Sequence, residues 1–126
     1  MKYIFKIAMV DDDEIFLHQL KEYGERAKQD LQLNVSIDTF SDSEAFANEH
    51  ADQYDIIFLD IEMPQMDGYK VAKKIRELDK TACIIFVTNM AQYAILGYEV
   101  NALDFMIKPF EYFTFLDKVK RAIRYC

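Results

Sequence analysis

The sequence contains few of the residues that mark several protein classes. Its 126 residues include only three glycines, two prolines and two cysteines. So little glycine and proline excludes collagen-like and low-complexity chains. The cysteines are Cys83, in an apolar run where we expect a small core residue, and Cys126, the last residue. They are too few for a disulfide framework, so we expect a cytoplasmic protein in which the two do not pair.

Long apolar runs and basic residues are also scarce. No apolar run approaches the ~18–20 residues of a membrane span, so we expect no membrane partner. Lys and Arg number 15 against 22 Asp and Glu, a net charge of −7, which argues against direct nucleic-acid binding by this domain. The first 60 residues hold 14 acidic and five basic residues, whereas residues 61–126 hold eight and ten. The acidic charge is therefore concentrated in the first half.

Apolar runs of strand length alternate with stretches of helical periodicity, which indicates a single α/β domain. Strands are predicted at residues 3–10, 33–40, 55–60, 82–88 and 102–107. Helices are predicted at 16–27, from an N-cap at Ser41 with Glu44 to residue 51, at 71–78, at 91–98 and at 112–123. Five successive strand–helix units predict a doubly wound parallel sheet with helices on both faces.

Polar side chains lie at the carboxyl ends of four of the predicted strands, at the edge where ligands bind in open α/β sheets. They are Asp11, Asp12, Asp60, Thr88 and Lys108. Three close carboxylates repel one another, so one should resist ionisation unless a cation compensates. An oxygen-only set suits Mg²⁺ (or Mn²⁺), while an ammonium and a hydroxyl suit a phosphoryl group. Asp60 ends the most buried strand and is the candidate nucleophile that would form an aspartyl phosphate.

Each of these residues also has a simpler interpretation. Asp13 and Glu14 suit the first turn of a helix, where anions are favoured. Thr88 alone is more often a helix cap, and Lys108 alone is an ordinary surface lysine. Their joint placement at successive strand ends favours the functional interpretation.

The loop DIEMPQMDG, from Asp60 to Gly68, joins the acid pair, Thr88 and the Lys108-Pro109 dipeptide in a recognisable order. In this order the chain resembles, over its whole length, the receiver domain of bacterial two-component response regulators. The stretch YAILGYEVNALDFMIKPF, residues 93–110, is similar to receivers that precede LytTR-type DNA-binding domains. The resemblance implies a flavodoxin-like sheet of order 2-1-3-4-5 and a receiver domain over residues 1–126.

The resemblance also implies roles for single residues. Asp60 would accept a phosphoryl group from a sensor histidine kinase. Asp12 and Asp60 would hold Mg²⁺ directly, Asp11 would hold it through water, and the backbone carbonyl of Glu62 would complete the ligands. Lys108 would pair with the phosphoryl oxygens.

A conformational switch is implied as well. Thr88 would move toward the phosphoryl group and draw Phe105 inward, which would change the surface of helix 4, strand 5 and helix 5. That change would control homodimerisation or a DNA-binding output domain. The Lys108-Pro109 bond is expected to be cis. Phe105 lacks the hydroxyl of the tyrosine often found there, so the switch would depend on packing alone.

Other functions remain open at this point. A small aspartate-nucleophile phosphohydrolase would use Asp60 and Glu62, although we expect no turnover of an external substrate. A purely structural module and a flavin-binding domain are less well supported, since the acid set is intact and no phosphate loop follows the first strand. The last helical stripe reaches Ile123 without a Gly or Pro stop, so one hypothesis is a fragment that lacks a C-terminal output domain.

Overall fold

A computed structural model describes residues 4–64 and 66–126. It contains five strands, five α-helices and one 3₁₀ helix. In chain order these are β1 (Phe5–Val10), α1 (Glu14–Asp30), β2 (Val35–Phe40), α2 (Ser43–Glu49), β3 (Ile56–Asp60), α3 (Gly68–Leu78), β4 (Cys83–Thr88), the 3₁₀ helix (Ala91–Leu96), α4 (Gly97–Val100), β5 (Asp104–Ile107) and α5 (Tyr112–Tyr125). Tyr3, predicted to begin the first strand, lies outside the described residues.

The five strands form one parallel sheet in the order β2-β1-β3-β4-β5. The predicted doubly wound α/β fold is therefore confirmed, and so is the strand order that the resemblance implied. Because β1 and β3 are neighbours in the centre of the sheet, the residues at their carboxyl ends lie side by side. This placement explains how acids 49 positions apart in the sequence, Asp11 and Asp60, meet.

Alternate residues of each central strand pack on opposite faces of the sheet. On β1, Ile7 and Met9 face the cluster formed with α1 and α5, whereas Ala8 and Val10 face the cluster formed with α2, α3 and α4. All five residues of β3 and all six of β4 are buried. Burial on both faces is why these strands are apolar runs without alternation.

Three local predictions need correction. The N-cap of α2 is Asp42, whose carboxylate accepts a hydrogen bond from the Ala45 N–H at 3.1 Å, and not Ser41. The segment predicted as one helix at 91–98 is a 3₁₀ helix followed by the four-residue α4. The fifth strand begins at Asp104 and not at residue 102. In each case the sequence pattern located the element, and local hydrogen bonding set its boundary.

The cysteines also differ from expectation. Cys83 is a buried core residue as predicted, but the structure joins it to Cys126 as a disulfide, with Cα atoms 6.4 Å apart. The prediction of unpaired cysteines was therefore wrong. Because α5 packs on the sheet, the end of α5 lies beside the first residue of β4. The two cysteines are 43 residues apart, and no sequence pattern indicated that contact. Among the described residues, no helix combines the length and apolar character needed to cross a membrane.

Candidate functional site

Three carboxylates meet at the carboxyl edge of the sheet. Oxygen atoms of Asp11, Asp12 and Asp60 all lie within 4.8 Å of one another. Asp11 and Asp60 are buried, with relative exposures of 1% and 6%, whereas Asp12 is exposed. The sheet order produces this cluster, since Asp11 and Asp12 follow β1 and Asp60 ends the neighbouring β3.

Asp11 is held by two hydrogen bonds. One oxygen accepts from the Asp13 N–H at 2.9 Å, and the other accepts from the Lys108 ammonium at 2.7 Å. Asp13 in turn caps α1 by accepting from the N–H groups of Ile15 and Phe16, both at 3.1 Å. Asp13 is therefore the helix cap that the sequence predicted, and the same turn orients Asp11.

Lys108 reaches the acidic cluster from the end of β5. Its ammonium lies 2.7 Å from Asp11 and 3.6 Å from Asp60, and its side chain is only 12% exposed. Its backbone N–H donates to the carbonyl of Thr88 at 2.8 Å, which fixes the start of the following loop. The Lys108-Pro109 bond is cis, as predicted. One buried cation thus lies against two of the three carboxylates.

The electrostatics of the cluster act most strongly on Asp60. Burial is the first cause that raises the pKa of its carboxyl group, to about 7, and the negative charges of Asp11 and Asp12 raise it further. Lys108 and a backbone hydrogen bond from Glu62 oppose this shift without cancelling it. Three close carboxylates with no nitrogen ligand are the donors that Mg²⁺ prefers, and a cation would offset both the burial and the repulsion that raise the pKa of Asp60. The residues present therefore fit a divalent metal.

The two predicted switch residues occupy different environments. Thr88 is fully buried at the end of β4, and its hydroxyl accepts a hydrogen bond from the Met90 N–H at 3.1 Å. Phe105 lies on β5, directly opposite Phe86 of β4, and is partly buried against the α2–α3–α4 cluster. Glu62 lies in the loop after β3, and its side chain is exposed.

Gly68 has a packing role that the sequence analysis did not assign. Its N–H donates to the carbonyl of Ile61 at 2.8 Å, so that α3 begins directly against the loop that follows Asp60. A methyl group at this position would overlap the backbone carbonyl of Asp60. The only signal in the sequence was a glycine directly after Asp67, which is the N-cap of α3.

The loop after β3 has a second attachment that the sequence did not suggest. Ser43 is 1% exposed, and its hydroxyl accepts a hydrogen bond from the Met66 N–H at 3.2 Å. The contact links α2 to a loop 23 residues further along the chain. Both ends of the loop are therefore tied to neighbouring helices.

Comparisons with known proteins point to a single family. Residues 7–120 match the family described as "Response regulator receiver domain". The Sensory transduction protein LytT of Bacillus anthracis is 32% identical over 108 residues, which cover 86% of this chain and 43% of that protein. Other curated relatives are also matched over less than half of their length.

Solved structures show the same relationship. The protein TrrA of Thermotoga maritima, in complex with Mg²⁺ and BeF, has a TM-score of 0.79 and 30% identity over 94% of this chain and 98% of that chain. The BeF3-activated receiver domain of DrrB, also a Thermotoga maritima protein, has a TM-score of 0.81 and 29% identity over 97% and 99%. The site residues described above lie within residues 7–120, the part of the chain that matches the family.

Proposed function

This chain belongs to the response regulator receiver domain family, and from that premise we propose that it accepts a phosphoryl group on Asp60 from a phosphohistidine of a sensor histidine kinase. Receiver domains are signalling domains of two-component systems. The observation that carries the proposal is the position of Asp60, a buried carboxylate beside Asp11, Asp12 and the Lys108 ammonium. Names among the relatives, such as sensory transduction protein, agree with a signalling role.

The acidic cluster would hold Mg²⁺ or Mn²⁺. Asp12 and Asp60 would bind the cation directly, together with the backbone carbonyl of Glu62. Both oxygens of Asp11 already accept hydrogen bonds, which supports a contribution through water. When bound, the cation neutralises the carboxylates and the charge on the phosphoryl oxygens.

The proposed transfer is a displacement at phosphorus. A carboxylate oxygen of Asp60 forms the new P–O bond as the P–N bond to the histidine breaks, and the imidazole nitrogen keeps the electron pair. Lys108 pairs with the phosphoryl oxygens from its position 3.6 Å from Asp60. The product is an aspartyl phosphate, and no external substrate is turned over.

The phosphoryl group would then change the surface formed by α4, β5 and α5. We propose that Thr88 exchanges its bond with the Met90 N–H for one with the phosphoryl group, and that Phe105 moves inward. A groove of about 650 Å³ already lies between α4, β5 and α5 beside Phe105. The exposed side chains of Ile95, Tyr98 and Ile107 lie on or next to that surface. The movement would alter how this surface binds a second copy of the chain or acts on a DNA-binding output domain.

Phosphorylation by a small donor tests the proposal. The chain is incubated with acetyl phosphate and Mg²⁺, and intact mass is measured. We expect one phosphoryl group on the wild type, none on Asp60→Asn, and one on the control Asp52→Asn, which changes an exposed acid. A wild type that gains nothing, or an Asp60→Asn chain that gains as much, contradicts the proposal. Turnover of p-nitrophenyl phosphate that depends on Asp60 and Glu62 would favour the phosphohydrolase instead.

The proposed homodimer has its own test. Light scattering with Mg²⁺ and a beryllium fluoride mimic should show a dimer that is absent without the mimic. Ile95→Ser removes an apolar side chain from the proposed surface and should abolish the dimer. Leu78→Ser removes a similarly exposed one at the end of α3 and should not. A wild type that stays monomeric with the mimic overturns this part of the proposal.

A further inference from the structure

The ammonium of Lys108 lies over the face of an aromatic ring. The distance from its nitrogen to the ring centroid of Phe16 is 4.1 Å. The other two lysine–ring contacts among residues 4–64 and 66–126 are longer, at 5.2 and 5.4 Å. The Phe16 contact is also the one in which the lysine side chain is almost wholly removed from solvent, with 12% exposed. Attraction between a cation and a ring is strongest in such desolvated positions.

Two independent contacts fix Phe16, one at its backbone and one at its ring. Its backbone N–H donates to the Asp13 carboxylate at 3.1 Å, so the residue belongs to the same capped turn that orients Asp11. Its ring meets Phe110 edge to face, with centroids 5.8 Å apart and planes at 84°. Phe110 is in turn supported by Tyr23, at 6.2 Å. The backbone hydrogen bond therefore fixes the position of the residue in the helix, and the contact with Phe110 fixes the position of its ring.

The ring supplies what the carboxylates cannot. An ammonium has three N–H donors and needs one of them for an incoming phosphoryl oxygen. A third carboxylate beside Lys108 would hold it more strongly but would compete for that donor and repel the phosphoryl group. The face of a ring attracts the cation without offering a strong hydrogen-bond acceptor. The ammonium is thus kept in place and remains free to turn toward a phosphoryl group on Asp60.

We propose that Phe16 is a positioning residue that holds the Lys108 ammonium between Asp11 and Asp60 for the phosphoryl group. This inference rests on the proposed phosphorylation of Asp60. Its expected size is about a fivefold change in the rate of phosphorylation, because only part of the free energy of one cation–ring contact acts on the rate. Phe16 itself touches no reacting atom.

The first experiment compares phosphorylation rates and Mg²⁺ affinity. Rates are measured with acetyl phosphate at excess Mg²⁺ for wild type, Phe16→Leu, Phe16→Tyr and the control Phe113→Leu. The control makes the same change at an exposed ring that faces Arg26, away from the site. We expect Phe16→Leu to be about fivefold slower, Phe16→Tyr to recover to within about twofold, and Phe113→Leu to match the wild type. Lys108 is not itself a proposed metal ligand and keeps its charge in every variant, so Mg²⁺ affinity should stay the same in all four chains.

The second experiment detects the contact without any reaction. Protons beneath an aromatic face resonate upfield, so the side-chain methylene protons of Lys108 should be shifted upfield in the wild type and in Phe16→Tyr, and not in Phe16→Leu. Absence of that shift in the wild type, or a Phe16→Leu rate equal to wild type, overturns the inference. So does a loss of rate that Phe16→Tyr does not recover or that comes with weaker Mg²⁺ binding. A wild type that accepts no phosphoryl group instead contradicts the function proposed for Asp60.

Discussion

The helices that flank the acidic site and the segment that follows β4 are built in different ways. The helices α1 and α3 are capped by Asp13 and Asp67, whose carboxylates accept hydrogen bonds from backbone N–H groups of the first turn. The 3₁₀ helix and α4 have no side-chain hydrogen bond at their first residues. Every side chain of the 3₁₀ helix is at least partly exposed, whereas α1 and α3 each bury four residues. The helices at the site edge are thus fixed by their own caps and buried residues, and the segment after β4 lacks both kinds of contact along most of its length.

Polar contacts from α3 hold the weaker segment in place. The guanidinium of Arg76 donates to the carbonyls of Val100 at 2.6 Å and Asn101 at 3.0 Å, at the end of α4. The hydroxyl of Tyr69 donates to the Glu99 carboxylate. A segment with few buried contacts opens at low free-energy cost, which suits the proposal that this region changes in response to the site. The site is therefore held by its own helix caps and buried residues, whereas the segment after β4 is docked by a few hydrogen bonds from α3.

The same glycine-to-alanine substitution, made once in each region, should reveal the difference between them most clearly. Gly68→Ala places a methyl group against the Asp60 carbonyl, where only backbone movement relieves the overlap, and should lower the free energy of unfolding by about 3 kcal/mol. Gly97→Ala adds a methyl group 3.2 Å from the Ala102 side chain in ordinary helical backbone. Its effect should stay within about 1 kcal/mol. Urea denaturation of both variants measures the difference, and equal losses would contradict it.

The charge within the site gives the next effect. In metal-free buffer, the raised pKa of Asp60, about 7, means that the folded chain keeps a proton that the unfolded chain releases near pH 4. The resulting stabilisation is complete below about pH 4 and is lost as the pH rises through about 7. Asp60→Asn removes this dependence, so the variant should exceed wild type by about 2 kcal/mol at pH 8.

Urea denaturation with EDTA across this pH range checks the sign. The advantage of Asp60→Asn should shrink toward zero as the pH falls to about 4. Asp52→Asn, at an exposed acid, should follow the wild type throughout. An advantage for Asp60→Asn that is independent of pH would show that ionisation of the Asp60 carboxyl group is not its cause.

The sequence predicted the site edge well because its signals are local. Apolar runs such as 56–59 mark strands buried on both faces, and a parallel sheet places the residues after them at one edge. The meeting of Asp11, Asp12 and Asp60 therefore needed only the strand order. The capping role of Asp13 followed from its position before an apolar helical stripe.

The segment after β4 was predicted less well because tertiary contacts determine it. Residues 91–98 have a helical pattern, yet the structure has a 3₁₀ helix that continues into α4, whose end is held by Arg76. The contact joins residues 24 positions apart, and no periodicity reports such a pair. The Phe16–Lys108 contact was missed for the same reason, since Phe16 entered the sequence analysis only as the first residue of the helix predicted at 16–27.

Removal of the Arg76 guanidinium should loosen the docked segment without harming the site. Arg76→Met keeps much of the side-chain volume but leaves the carbonyls of Val100 and Asn101 without these donors, a cost of about 1–2 kcal/mol. Hydrogen exchange should become faster in residues 97–101 and stay unchanged in β1 and β3. Arg124→Met, at an exposed position of α5, is the matched control. Faster exchange in β1 or β3 would show that the two regions are not separable.

Removal of the bond between Tyr69 and Glu99 should have the smallest effect on stability. It should act on the segment after β4 alone and leave the site unchanged. Tyr69→Phe removes one exposed hydroxyl and no packing, so global stability should match the wild type within error. Exchange in α4 should become about two- to threefold faster, because a single solvated bond contributes little. Tyr125→Phe, at an exposed tyrosine of α5, should leave α4 unchanged. If Tyr69→Phe slows exchange in α4, the bond destabilises the segment, contrary to the expectation that it holds the segment in place. The docking would then depend on Arg76 alone.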